Sequence, residues 1–166
     1  MLQNRFKSLD KTVARLRSKY DIYFPVNVNE LAEKMNIEII YVDCDPEMDG
    51  CCFFTADNSP HIVINNHPII PDYRKRWTIT HEIGHVQFHE DQAIYWYENE
   101  YASTSPEVER WCDMFAAKML MPNNDIISIY ENLRIYPYRQ RLSSMSVIFG
   151  VSKQAMEIRL KELNLI

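Results

Sequence analysis

No apolar run in this chain of 166 residues approaches the roughly 18 that a membrane-spanning helix needs. The opening stretch "MLQNRFKSLDKTVARLRSKY" lacks the apolar core and small-residue cleavage site of a secretory signal. The expectation is a cytoplasmic protein without a membrane partner. Cysteine is sparse and badly spaced for bridging: Cys44, Cys51, Cys52 and Cys112 form no C-x-x-C pair, and two of the four are adjacent. That argues against a disulfide framework and for reduced thiols packed as small apolar groups. Surplus positive charge is missing as well. A net charge of −5 opposes non-specific coating of nucleic acid. Internal repeats and low-complexity linkers are absent.

What remains is an ordinary globular composition, 46% hydrophobic and 25% charged, sized for one domain or a main domain with a small appendage. Charge is unevenly spread: between Arg134 and Lys161 stand six basic residues (Arg134, Arg139, Arg141, Lys153, Arg159, Lys161) and one acid, Glu157.

Periodicity supplies the elements. Leu2, Phe6, Leu9, Val13 and Leu16 recur at spacings of three and four, which predicts an amphipathic helix over 2–19. "FPVNVNELAEKMN" predicts a turn at Pro25 and a short helix capped by Asn29. Three β-rich runs follow, "IEIIYVD" (37–43), "GCCFFT" (50–55) and "HIVIN" (61–65), divided by Asp- and Asn-containing turns, and they predict a small antiparallel sheet. Residues 73–89 read as one helix with Trp77, Ile79, Ile83, Val86 and Phe88 as its apolar positions, and 90–105 read as loop. "SPEVERWCDMFAAKMLMP" is a helix capped by Ser105, opened by Pro106 and stopped by Pro122, with Phe115, Ala116, Met119 and Leu120 facing the core. In the tail, Gly150 ends one helix and Ser152 caps the next, a pair that resembles a helix-turn-helix.

The chemistry sits in "RWTITHEIGHVQFHE" (76–90). On an α-helix, residues four apart differ by about 40° in azimuth and about 6 Å in height. His81 and His85 therefore project side by side and can place two imidazole nitrogens at about 2.0–2.1 Å from one zinc ion. Glu82 lies about 100° round the helix, outside that coordination but within reach of a water on the open side. Zinc acidifies water, and the adjacent carboxylate accepts the proton and passes it to a leaving amine. Hence H-E-x-x-H reads as a metallopeptidase signature. His89 is about 12 Å along the axis from His81 and cannot join the same ion, so it reads as structural or supporting. His61 and His67 read as packing or loop residues.

A catalytic zinc takes a third protein ligand. The spacing H-E-x-x-H-x-x-G-x-x-H is absent, since position 88 is Phe and position 91 is Asp. A carboxylate from the next helix is expected, with Glu107, Glu109 and Asp113 as candidates and Glu98 and Glu100 as loop outsiders. Glu109 and Asp113 are four apart and share a side, so one can bind metal while the other holds the hydrogen of a ligating histidine. Cys112, between Trp111 and Asp113, reads as packing. Tyr95, Tyr97 and Tyr101 are candidates for a transition-state donor, but an aromatic loop is more often packing, and the role stays unassigned.

"RWTITHEIGHVQFH" followed by "EVERWCDMFAAKMLMP" resembles the ImmA/IrrE metallopeptidases, whose pattern is a hydrophobic HExxH helix followed by E-x-x-x-(D/N)-x-F-A-x-x-L-L-M-P. The match extends more loosely to "PVNVNELAEKMNIEIIYVD" and "FGVSKQAMEIRLKELNLI"; Cys112 and Lys118 are its departures. The resemblance implies one zinc ion per chain held by His81, His85 and Glu109, with Glu82 as general base and Asp113 supporting a ligand. It also implies a substrate, a helix-turn-helix repressor cut at one site to release genes of mobile elements or stress responses.

The expected fold is α+β and zincin-like, with the small sheet packed on the HExxH helix. Residues 1–125 are expected to form the peptidase unit, and 126–166 a helix-turn-helix-like region packed on it. By analogy with other HExxH enzymes, "HIVIN" is the candidate edge strand for an extended substrate. Direct DNA binding is disfavoured, since phosphate neutralisation dominates such affinity and the chain is acidic. The rival reading is a non-catalytic zinc-containing regulator acting on a repressor or on DNA.

Overall fold

The most deeply buried strand lies in the middle of the sheet. The computed structural model describes residues 2–89 and 105–166. Its three strands are β1 (Glu38–Val42), β2 (Gly50–Phe54) and β3 (Pro60–Asn65), in the order β1-β3-β2. Ile62 and Ile64 of β3 are fully buried, whereas β1 and β2 carry no fully buried side chain. The central place of β3, flanked on both sides, keeps the hydrocarbon of Ile62 and Ile64 out of water.

That order corrects two expectations. The sheet is mixed: β2 and β3 form an antiparallel hairpin with Cys52 opposite Ile62, while β1 runs parallel to β3 with Ile40 opposite Val63. "HIVIN" is therefore no edge strand. The edges are β1 and β2.

Asn65, at the end of β3, is fully buried and organises the 43–49 loop. Its Nδ2 donates to the carbonyls of Asp45 at 2.8 Å and Met48 at 2.7 Å, and its Oδ1 accepts from His67 N at 2.9 Å. A buried amide with this many partners anchors a loop that has little apolar side-chain mass of its own.

The helices are α1 (Leu2–Lys19), α2 (Val28–Lys34), α3 (Asp72–His89), α4 (Pro106–Leu120), α5 (Asn123–Asn132), α6 (Tyr138–Phe149) and α7 (Lys153–Glu162). Leu9, Val13 and Leu16 of α1 face inward as their spacing predicts. The cap of α2 is Asn27, two residues before the expected Asn29, and its side chain accepts from Asn29 N and Glu30 N. Ser105 caps α4 by accepting from Val108 N, with Pro106 in the first turn. Helix α5 begins directly after Pro122, so the proline that stops α4 also opens the next helix, which the sequence reading passed over.

Helix α3 lies against β2, β3 and α4. One buried cluster runs from Leu9 and Leu16 through Ile62, Ile83, Phe115 and Met119 to Met145, Phe149, Met156 and Leu160. The tail helices thus complete a shared core. Val147 and Ile158 do not join it, being 78% and 52% exposed. Between α6 and α7, Gly150 takes the left-handed conformation at φ 61°, and a Cβ there would stand 2.9 Å from Arg76 Nε. Arg76 in turn donates to Val26 O at 2.9 Å, linking α3 to both ends of the chain. Among the described residues no helix is long and apolar enough to cross a membrane.

Candidate metal centre

Two antiparallel helices build the site, and a glycine sets how closely they approach. Gly84 of α3 faces α4, where a Cβ would meet Phe115 Cδ1 at 3.2 Å and Cys112 Cα at 3.3 Å. Any side chain at 84 would wedge the helices apart. With Gly, the first half of α4 comes up against the histidine face of α3.

That approach gathers the ligand-type atoms. His81 Nε2 stands 3.1 Å from His85 Nε2 and 3.1 Å from Glu109 Oε2, and His85 Nε2 stands 3.3 Å from Glu109 Oε1. Donor atoms of His81, His85 and Glu109 all lie within 4.8 Å of one another. Three donors bound tetrahedrally at about 2.0–2.1 Å stand roughly 3.3 Å apart, so the spacing matches a shared small cation. Two imidazole nitrogens and a carboxylate at these distances repel unless a proton or a cation sits among them.

On the far side of His81, Nδ1 lies 3.0 Å from Asp113 Oδ1. A carboxylate there accepts the Nδ1–H, which turns the Nε2 lone pair toward His85 and Glu109. Glu109 belongs to the first turn of α4, where the helix dipole favours a negative charge.

Burial divides the two histidines. Burial also lowers His81, but the hydrogen bond to Asp113 and the charges of Glu82, Asp113 and Glu109 outweigh it and leave its pKa raised. His85 is pushed down to about 4 by burial first and then by the charge of His81. Of the two imidazoles, His81 is thus the one that holds a proton more readily beside the carboxylates.

Glu82 is 8% exposed and lies between the ligand cluster and the sheet, close enough to feel the charges of His81 and Glu109. Its partner is Cys52 of β2, which donates to it through both thiol and backbone N–H. Burial raises the Glu82 carboxyl above its usual range and Glu109 adds to the rise, against the pull of His81 and Cys52. A carboxyl moved toward neutrality is suited to both taking and releasing a proton.

The remaining expected residues distribute as follows. Glu107 is exposed and away from the cluster, and Cys112 is fully buried with its thiol pKa pushed up by burial. His61 is engaged elsewhere, 3.0 Å from Glu38 Oε2 and stacked on Phe53. His67 Nδ1 accepts from Ile69 N. Glu98, Glu100, Tyr95, Tyr97, Tyr101 and the side chain of His89 lie outside the described residues. Two contributors escaped the sequence reading. Gly84 carried a signal, a glycine inside a long helix. Cys52 carried none, since nothing local distinguishes it from Cys51.

The family model of the IrrE N-terminal-like domain, a peptidase family, matches residues 32–161. The chain belongs to this family. The ImmA/IrrE family is one of metallopeptidases, which implies a metal ion, and the His-His-Glu cluster is a possible place for it. No curated protein sequence matches the chain. Among solved structures it is similar to a Mycobacterium tuberculosis transcriptional regulator, at 17% identity and a TM-score of 0.66 over 92% of this chain. The chain spans 46% of that protein's length. At such identity the likeness is one of fold.

Proposed function

We propose that this chain is a zinc-dependent endopeptidase that cuts a helix-turn-helix transcriptional repressor at one site and thereby releases mobile-element or stress genes. His81, His85 and Glu109 would hold one zinc ion, Asp113 would orient His81, and Glu82 would act as general base. The observation that carries this reading is the convergence of the three ligand-type side chains beside a buried carboxylate with an elevated pKa. The family adds support, since its members are peptidases.

Bound zinc supplies Lewis acidity, which makes water a nucleophile at neutral pH. Glu82 takes a proton from the attacking water and delivers it to the departing amine, two transfers that one carboxyl near neutrality performs in turn. Cys52 holds that carboxylate from the sheet side. The outer edge of β2, which has no strand partner among the described residues, lies beside Glu82 and is suited to an extended substrate that adds a strand.

In this reading the fold is zincin-like, residues 1–125 carry the chemistry, and 126–166 form the helix-turn-helix-like region. The working compartment is the cytoplasm, where its target resides. The name of the mycobacterial neighbour, a transcriptional regulator, is in keeping with a role in gene control.

Co-expression with a small helix-turn-helix repressor, sought among the genes beside this one, tests the reading. A single cut is expected on a gel, with about one zinc ion bound per chain. Glu82→Gln should keep the metal and slow the cut by about 10²–10⁴-fold. If Glu82→Gln leaves biological activity intact while a promoter fragment shifts at physiological salt, the protein is a non-catalytic regulator instead.

A further inference from the structure

A cleft of about 490 Å³ opens between α3, α4 and α7, next to the residue that backs His81. Asp113, the residue bonded to His81, forms one end of its wall. Trp77 precedes His81 by four residues and Ala117 follows Asp113 by four, so the groove holding the ligands continues along the same two helix faces. Helix α7 closes the third side with Ala155 and Ile158. The floor is apolar, made by Trp77, Met114, Ala117, Ala155 and Ile158.

The cations at the rim are already engaged. Arg74 pairs with Asp49 at 2.8 Å. Arg159 bonds Glu162 at 2.8 Å, Met121 O at 3.2 Å and Asn123. No anion-binding charge is left over from these two side chains. The same Arg159 contacts pin α7 to the α4–α5 junction, so the third wall is held in place before anything binds. Half-exposed Ile158 leaves hydrocarbon in contact with water that none of the described residues covers.

We propose that this cleft seats a bulky aliphatic or aromatic side chain of the substrate, within about three residues of the cleaved bond. The inference rests on the peptidase reading above. The reach follows from geometry: one helical turn from Trp77 to His81 is about 6 Å, and an extended chain covers about 3.3 Å per residue. The volume falls within the range of about 300–1,000 Å³ usual for ligand clefts. Discrimination comes from hydrocarbon burial, so Leu, Met or Phe is favoured over Ser or Gly at that substrate position.

Two peptide mixtures with randomised flanks, one with Leu and one with Ser fixed at a central position, test the proposal on the zinc-loaded full chain. The wild type is expected to cleave the Leu mixture at least about tenfold more efficiently in kcat/KM. Ile158→Asp and Ala155→Trp should each bring the Leu-to-Ser ratio of kcat/KM down toward one and keep the zinc content, which also certifies folding. A second readout is independent of cleavage. In Glu82→Gln, the indole N–H signal of Trp77, assigned with Trp77→Phe, should shift with the Leu mixture and not with the Ser mixture. If the wild type cleaves neither mixture, the peptidase reading fails and the indole shift alone decides whether the cleft takes an apolar side chain. The proposal is overturned if Trp77 does not respond, or if the two variants leave the Leu preference in place.

Discussion

Asp113 reaches across 32 positions of sequence to stand 3.0 Å from Nδ1 of His81, so that one acid of α4 backs the imidazole that another acid, Glu109, faces. In the proposed reading the pair would divide the labour between holding a metal and orienting the group that holds it. Removing the backing carboxylate frees the His81 ring to rotate and to take the wrong tautomer. Asp113→Ala is expected to weaken zinc binding by about 10–100-fold. A chelator-competition titration measures this, and unchanged affinity would remove Asp113 from the site.

The distance between α3 and α4 depends on Gly84. Alanine there gains up to about 1 kcal/mol of helix propensity, yet its methyl lands 3.2–3.3 Å from Phe115 and Cys112, and overpacking costs about 1–3 kcal/mol. Gly84→Ala should therefore lower the Tm by a few degrees and weaken zinc binding, since Glu109 and Asp113 move back with α4. Calorimetry together with the chelator titration checks both. A raised Tm with full zinc affinity would contradict the close-approach argument.

Asn65 concentrates several loop hydrogen bonds in one buried side chain. Asn65→Ala strands the carbonyls of Asp45 and Met48 and should cost about 2–3 kcal/mol by urea denaturation. Asn65→Asp, nearly the same shape, removes the donors and aims a carboxylate at those carbonyls. It should destabilise at least as much as alanine. Were the aspartate tolerated, the amide would not be the organiser of the 43–49 loop.

Acid should act on the metal-free chain through His85. Burial and the His81 charge hold it at about 4, whereas in the unfolded chain a histidine takes up its proton near 6.5. Between these values the unfolded state binds more protons, so this contribution is complete above about pH 6.5 and is lost as the pH falls toward 4. The raised pKa values of Glu82 and His81 act in the opposite direction, each adding stability that disappears as the pH rises. Comparison with His85→Gln isolates the His85 share. Relative to that variant, the metal-free wild type should lose up to roughly 3 kcal/mol between pH 7 and pH 4 in urea melts. Parallel stability curves for the two proteins would contradict the buried neutral imidazole.

The sequence by itself determined what depends on near neighbours along the chain: the α1 and α3 helices, the Ser105 and Ser152 caps, the left-handed Gly150, and two histidines a turn apart with Glu82 between them. Those follow from backbone periodicity, which sets each residue's azimuth on its own helix. It left Glu107, Glu109 and Asp113 open; the ImmA/IrrE resemblance singled out Glu109 and Asp113, and the packing of α4 on α3 through Gly84 brings those two to the histidines while Glu107 stays in solvent. Strand order was equally out of reach, because β3 wins the central place through a competition among all three strands for burial, and that competition turns β1 parallel to it. The contact between Cys52 and Glu82 is a product of the same choice. Azimuth is a local property, whereas the rotation of one element against another is decided by the whole core at once.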